Sequence, residues 1–232
     1  MIKRAIGIVG VLITISLIAL FNPIPQEQPS PSRWLKIDEQ GKAISPWSGP
    51  WACVYDTKTQ LLWETKTDNE SIHDGYWTYS WYDKTQGIEN QGDCYFEKER
   101  CDTQDLIERV NNEKTCGLDN WRLPSSKELL SLVSRDTKPG EPLIAKDFFP
   151  QTKRGDYWTN NSKQRLTGTF AYLREGAMAV NFVNGNLSKL PYRNASFVRL
   201  VNTKNAALKP LAAPQIHTVT MQSPSDKNSE LH

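Results

Sequence analysis

Apolar residues appear first as one long block and then only in short, patterned groups. Lys3 and Arg4 precede 17 residues, 5–21, interrupted only by Thr14 and Ser16; as a helix this run would be roughly 25 Å long, the short end of what crosses a bilayer. Farther on, 51–63 reads as a strand with Cys53 and Tyr55 on one face, a polar turn at 56–59 and a second strand. Trp77, Tyr79 and Trp81 alternate with Thr78 and Ser80, the period of two of a strand with one aromatic face. Asp102 or Thr103 caps a helix carrying Leu106, Ile107 and Val110, with Gly117 as its stop. Pro124 then precedes a capping box, Ser125 with Glu128, ahead of Leu129, Leu130, Leu132 and Val133, predicting a second helix that ends before 138–140. Strands are expected at 156–160, 169–174, 177–183 and 197–201. Met178, Val180 and Phe182 alternate with Ala179 and Asn181, and Asn184-Gly185 is the dipeptide of a two-residue type I′ hairpin turn. Strands, two helices and more strands make an α+β domain on a mostly antiparallel sheet.

The flanks set the expected organisation. The basic residues before the apolar run and their absence until Arg33 place the N-terminus in the cytosol and everything after Phe21 outside. Cleavage after Ala19 would put the bulky Leu17 at −3, which favours an uncleaved signal anchor at 1–21, a cleaved signal peptide being the alternative. Residues 22–32 hold four prolines in eleven positions, an extended spacer; 22–49 is therefore assigned as spacer and lead-in, 50–202 as the domain, and 203–232 as a disordered tail. The expected location is the cytoplasmic membrane, single-pass, with the domain in the periplasm, or a periplasmic or secreted protein if the helix is cleaved.

Four cysteines, Cys53, Cys94, Cys101 and Cys116, read as disulfides in an exported chain. Three pairings are possible; a short Cys94–Cys101 loop is preferred, which leaves Cys53 for Cys116, worth about 2.5 and about 4 kcal/mol in the chain-entropy account. A zinc site is disfavoured, because no C-x-x-C pair occurs and His73 is the sole histidine in the domain. Charged residues at 23% exclude a multi-span membrane protein, and eight Trp with eight Tyr exclude a mostly disordered chain. A net charge of +2 is too small for the basic field of a nucleic-acid binder.

No catalytic signature, phosphate-binding glycine loop or calcium loop is present, so no catalytic residue, metal or cofactor is assigned. His73, in a polar stretch beside Asp74, reads as a solvated loop residue unless the two converge in a deep pocket. The face of Trp77, Tyr79 and Trp81 reads more readily as core, with a stacking platform for sugar rings as the alternative. Lys153, Arg154, Lys163, Arg165, Arg174, Lys189 and Arg193 would line an anionic surface if they gathered.

The string from Cys116 to Leu129 (CGLDNWRLPSSKEL), with 54–59 (VYDTKT), Tyr157-Trp158-Thr159 and 197–201 (FVRLV), resembles the Lcl C-terminal domain family, named after the collagen-like adhesin of Legionella. The resemblance covers roughly 50–202 and implies an exported module with a C-type-lectin-like layout; in the namesake adhesin the domain is associated with binding sulfated polysaccharides. This chain has no Gly-X-Y repeat, so a stalk-enforced trimer does not carry over and the oligomeric state stays open. It also lacks the Glu-Pro-Asn and Trp-Asn-Asp patterns of calcium-dependent lectins. Within the string, Trp121 and Leu123 are expected to pack under the second helix. Arg122 is expected either to pair with a carboxylate or to point into a groove where its fork would hold an anion. The functional expectation is a membrane-anchored, non-catalytic binding module for a glycan or an envelope protein, with Trp77, Tyr79, Trp81 and Arg122 as candidate ligand residues. The alternatives are an envelope enzyme on a lectin-like fold and a structural subunit of a pilus or envelope assembly.

Overall fold

The structure, a computed structural model, describes residues 32–94 and 99–203. The apolar run, nearly all of the spacer and nearly all of the tail lie outside the described residues. Among the described residues no helix is long and apolar enough to cross a membrane.

The described residues form two antiparallel sheets and two α-helices. The first sheet has the order β2-β1-β3-β4-β9, from β1 (Trp34–Ile37), β2 (Ala43–Ile44), β3 (Cys53–Asp56), β4 (Leu61–Glu64) and β9 (Val201–Asn202). In the second, β5 (Asp156–Trp158), β6 (Gln164–Arg165) and β8 (Leu187–Pro191) all pair with β7 (Glu175–Asn181). Between the sheets in sequence lie α1 (Thr103–Glu113) and α2 (Ser126–Leu130). The α+β class with disulfides is thus established; Cys53 joins Cys116 across 63 residues and Cys94 joins Cys101 across 7.

Both sheets separate two apolar clusters. Alternation along β3 and β4 sends Cys53 and Leu62 to one cluster, with Leu106, Trp121 and Trp158, and sends Val54, Leu61 and Trp63 to the other, with Leu129, Ile144 and Phe149. Strand β7 is buried on both sides as well: Ala177 and Ala179 face the first cluster, Val180 and Phe182 the second. The alternation expected there is thus present, with alanines on one side and larger residues on the other. All described strand pairings, both disulfides and both clusters fall between residues 33 and 202, and the compact unit begins at Arg33. A unit with its own core folds by itself.

Several expectations change. The lead-in before residue 50 is sheet from Trp34 onward, since β1 lies against β3 with Lys36 opposite Val54, and Arg33 clamps Asp56 through two hydrogen bonds of 3.0 and 2.7 Å. Residues 77–81 do not join a sheet. Thr78, Tyr79 and Ser80 bridge three different partners, Asp93, Ser196 and Asp102, because the three aromatic rings drive the segment into the core. Helix α1 starts as predicted, with Asp102 Oδ1 accepting from the N–H groups of Gln104 and Asp105. Helix α2 carries the predicted capping box but stops after five residues. The Ser131 hydroxyl turns back to the Glu128 carbonyl at 2.7 Å and Arg33 takes the Ser131 carbonyl at 2.9 Å, so the carbonyls that would extend the helix are engaged. The strand expected at 169–174 is an exposed 3-10 segment, Gly168–Leu173, set off by Gly168 and Arg174 at positive φ. At Asn184-Gly185 the connection spans four residues, 182–185. Asn181 pairs with Asn186, and Phe182 stays in the core instead of entering the ladder.

One buried carboxylate ties these parts together. Glu64, fully buried at the end of β4, accepts from Lys66 Nζ at 2.8 Å and from the Leu200 N–H at 3.0 Å, and lies 2.7 Å from His73 Nδ1. Its own carbonyl accepts from the buried Arg199, whose other arm donates to Thr152 Oγ1 at 2.7 Å and whose guanidinium stacks on Phe149. Burial alone would raise the Glu64 carboxyl; the Lys66 charge and the His73 contact outweigh it and hold the carboxyl at about 2.

Because the folded-state value lies below the ordinary 4.5, the stabilisation from Glu64 is fully present above pH ~4.5 and is lost as pH falls from there toward ~2. Glu64→Gln, which strands Lys66 in the interior, is expected to cost about 3–5 kcal/mol and to flatten acid unfolding across that window. Urea titrations at a series of pH values measure both. An unchanged midpoint and pH profile would contradict the role assigned to Glu64.

Candidate functional site

The residues singled out in the sequence are not gathered at one site. Trp77, Tyr79 and Trp81 are interior, exposed by 8%, 0% and 2%. Both Trp indoles are committed inward, Trp81 Nε1 donating to the Thr159 carbonyl at 2.8 Å and Trp77 Nε1 to the Ser71 carbonyl at 2.9 Å, while the Tyr79 backbone carbonyl accepts from Trp158 Nε1 at 2.7 Å. As a ligand platform these rings are therefore closed, and the aromatic face is core. Arg122 forms a two-pronged pair with Glu128 at 2.9 and 2.8 Å. Glu128 Oε2 also accepts the Ser125 N–H at 2.7 Å, so one carboxylate closes the capping box and anchors Arg122. Foremost through the Arg122 hydrogen bond, its carboxyl lies below the usual range. This is the structural alternative for Arg122.

His73 is not a free loop residue. Its Nδ1 faces Glu64 at 2.7 Å, while its Nε2 faces Glu113 at 3.3 Å and Thr115 Oγ1 at 3.4 Å. The ring bridges β4 to the end of α1. Asp74 points elsewhere, accepting from the N–H groups of Glu70 and Tyr76, both at 2.8 Å, so the two do not converge. Among the described residues no group of three His, Cys, Asp or Glu side chains is arranged to hold a metal.

A concave site is found in a stretch to which the sequence assigned no function. Between α2 and β5, residues 131–155 contain no strand and no α-helix, and loops of that length in a compact domain usually carry function. The underside of this segment is riveted to the core. Leu143 N–H donates to the Phe182 carbonyl at 2.8 Å and Ser134 N–H to the Leu143 carbonyl at 3.0 Å; Ile144 and Phe149 are buried. Trp51 Nε1 donates to the Phe148 carbonyl at 3.0 Å. The upper side walls an open groove of about 1040 Å³ whose lining includes Trp51, Asp136, Lys138, Lys146, Asp147 and Phe148.

The groove combines two half-buried aromatic side chains with polar groups of both signs. Glu141, also in the lining, is paired with Lys146 at 2.8 Å, a hydrogen bond that keeps its carboxyl below its ordinary value. The Lys36 ammonium sits 3.7 Å over the Trp51 ring, and together with the indole hydrogen bond this fixes the ring plane. Flat rings flanked by hydrogen-bonding side chains stack on a ligand face and bond its edges. The signal for this site in the sequence was negative: 138–150 (KPGEPLIAKDFFP) has three prolines and no apolar period. The seven cations that would have lined an anionic surface are also divided between two regions. Lys153 and Arg154 lie in the long segment, with Lys153 Nζ 3.4 Å over the Tyr76 ring, whereas Lys163, Arg165, Arg174, Lys189 and Arg193 belong to the second sheet and its loops.

The family model described as the Lcl C-terminal domain matches residues 52–202. No curated protein and no solved structure matches the chain.

For Arg122 the geometry predicts a stability role. A double-mutant cycle with Arg122→Ala and Glu128→Gln, read by thermal unfolding, should give a coupling of about 1 kcal/mol, modest because the pair is partly exposed. Additive effects of the two substitutions would show that the pair contributes nothing.

Proposed function

The chain belongs to the Lcl C-terminal domain family, and we propose that it is an adhesin-like, non-catalytic binding module held outside the cytoplasmic membrane by residues 5–21. Its ligand is a glycan, laid in the groove between Trp51 and the 131–155 segment. The observation that carries this reading is the groove itself: a broad open trough with fixed aromatic rings, built on a loop whose underside is fastened to the core. An extended saccharide suits it better than a compact metabolite, which calls for an enclosed pocket. Asp136, Glu141 and Asp147 against Lys138 and Lys146 leave the lining near neutral, so an uncharged or amino-sugar chain of the peptidoglycan type fits better than a polyanion. Catalysis finds little support, because His73 is engaged by Glu64, Glu113 and Thr115 in a structural bridge.

The test is retention of the chain from residue 22 onward on an array of neutral, amino-sugar and sulfated glycans. Binding to neutral or amino-sugar chains is expected. Trp51→Ala should weaken it about tenfold, the scale of one lost aromatic contact. Asp136→Ala and Lys138→Ala, exposed and remote from the core, should weaken it without moving the melting temperature. Absence of retention on every saccharide, or retention untouched by the rim variants, would sink the assignment.

A further inference from the structure

Opposite in character to the near-neutral groove is a patch at one end of the second sheet. The 3-10 segment Gly168–Leu173 has no buried residue and carries Phe170 and Tyr172, exposed by 42% and 75%. Cations flank this segment. Arg165 on β6 lies opposite Glu175 on β7, and the Leu166 N–H donates to the Arg174 carbonyl at 2.9 Å, which places Arg174 beside them. The Lys163 N–H donates to Tyr192 Oη at 2.9 Å, bringing the turn that holds Arg193 to the same edge. Among the described residues none of Lys163, Arg165, Arg174 and Arg193 takes part in an ion pair. The patch thus sets four cations beside two exposed aromatic rings, with Glu175 and Asp83, the carboxylates that act on Tyr192, as the opposing charges.

We propose that this patch docks on the anionic headgroups of a lipid bilayer, with Phe170 and Tyr172 entering the interfacial layer and the four cations facing the phosphates. The exposed rings favour lipid over a soluble polyanion: aromatic side chains enter the interfacial layer of a membrane while flanking cations meet its phosphates, whereas a polyanion has no apolar layer to receive them. The sequence supplies the proximity. The apolar run ends at Phe21 and the described structure begins at Ser32; eleven residues span at most about 40 Å. The inference rests on the tethered reading for its biological setting. A tether of that length raises the local concentration of a bilayer surface enough for a weak contact to be occupied.

The experiment mixes the chain from residue 22 onward, without the apolar run, with vesicles of phosphatidylcholine alone and of phosphatidylcholine with phosphatidylglycerol, and measures co-sedimentation. Binding to the anionic vesicles only, weakening as salt rises, is expected. Arg165→Glu with Arg174→Glu should reduce it tenfold or more, on the scale of one basic contact per headgroup site, and Phe170→Ser with Tyr172→Ser should reduce it separately. All four positions are exposed, so unchanged melting temperatures confirm that the variants fold. Equal binding to both vesicles, indifference to both variants, or binding to dextran sulfate with none to anionic vesicles would overturn the proposal, the last pointing to a polysaccharide. Membrane fractionation of the full chain with and without residues 5–21 tests the tether independently, so either reading can fail alone.

Discussion

Glu64 is the point at which the parts of this domain meet. A carboxylate removed from water at the end of β4 has to be matched by donors, and the chain brings them from two places: Lys66 and His73 from the following loop, and the Leu200 N–H from the segment entering β9, whose neighbouring Arg199 holds the carbonyl of Glu64 itself. Each donor fixes the element that carries it. His73 reaches on to Glu113 at the end of α1, and Arg199 reaches on to Thr152 in the long segment. Such a cluster is weak evidence for net stability compared with an apolar core, but breaking any one partner strands the others. Geometry, more than energy, is what it contributes here.

The geometry extends to the groove. Through Thr152 and the Phe149 ring under Arg199, the same cluster grips the end of the 131–155 segment, while Arg33 grips its start at the Ser131 carbonyl. Between these holds, Leu143 and Trp51 make two further fastenings. A segment without regular structure thereby satisfies its backbone against the core and presents side chains outward on a defined surface. Preorganisation of that kind lowers the ordering cost of binding an extended ligand. The second surface, around Phe170 and Tyr172, differs in charge and shares no residue with the groove.

Local signals in the sequence were legible, and non-local ones were not. The Ser125–Glu128 capping box and the Asp102 cap act within four residues, and both helix starts were placed by them. The opening hairpin was equally plain, because Cys53–Asp56 and Leu61–Glu64 flank a polar turn. The segment 77–81 showed a true period of two, yet its backbone partners are Asp93, Ser196 and Asp102, a tertiary arrangement that no window of sequence contains. Residues 169–174 have the aromatic content of a strand, but positive φ at Gly168 and Arg174 turns them outward. Strands β1 and β2 are too short to show a period against a proline-rich lead-in. Of the candidate ligand residues, the three aromatics were readable as core and Arg122 as half of a pair. The groove was invisible because its residues have no pattern of their own; they are ordered by contacts with Phe149 and Phe182, neither of which lines the groove.

A preformed groove requires the 131–155 segment to be a fixed wall. Native-state hydrogen exchange measures this directly on the amides of Ser134, Leu143 and Phe149. If the segment is riveted as described, these amides exchange with opening free energies close to those of β3 and β4, the global value for the domain. Exchange at the rate of an open loop, orders of magnitude faster than the ladder amides, would contradict a preformed groove.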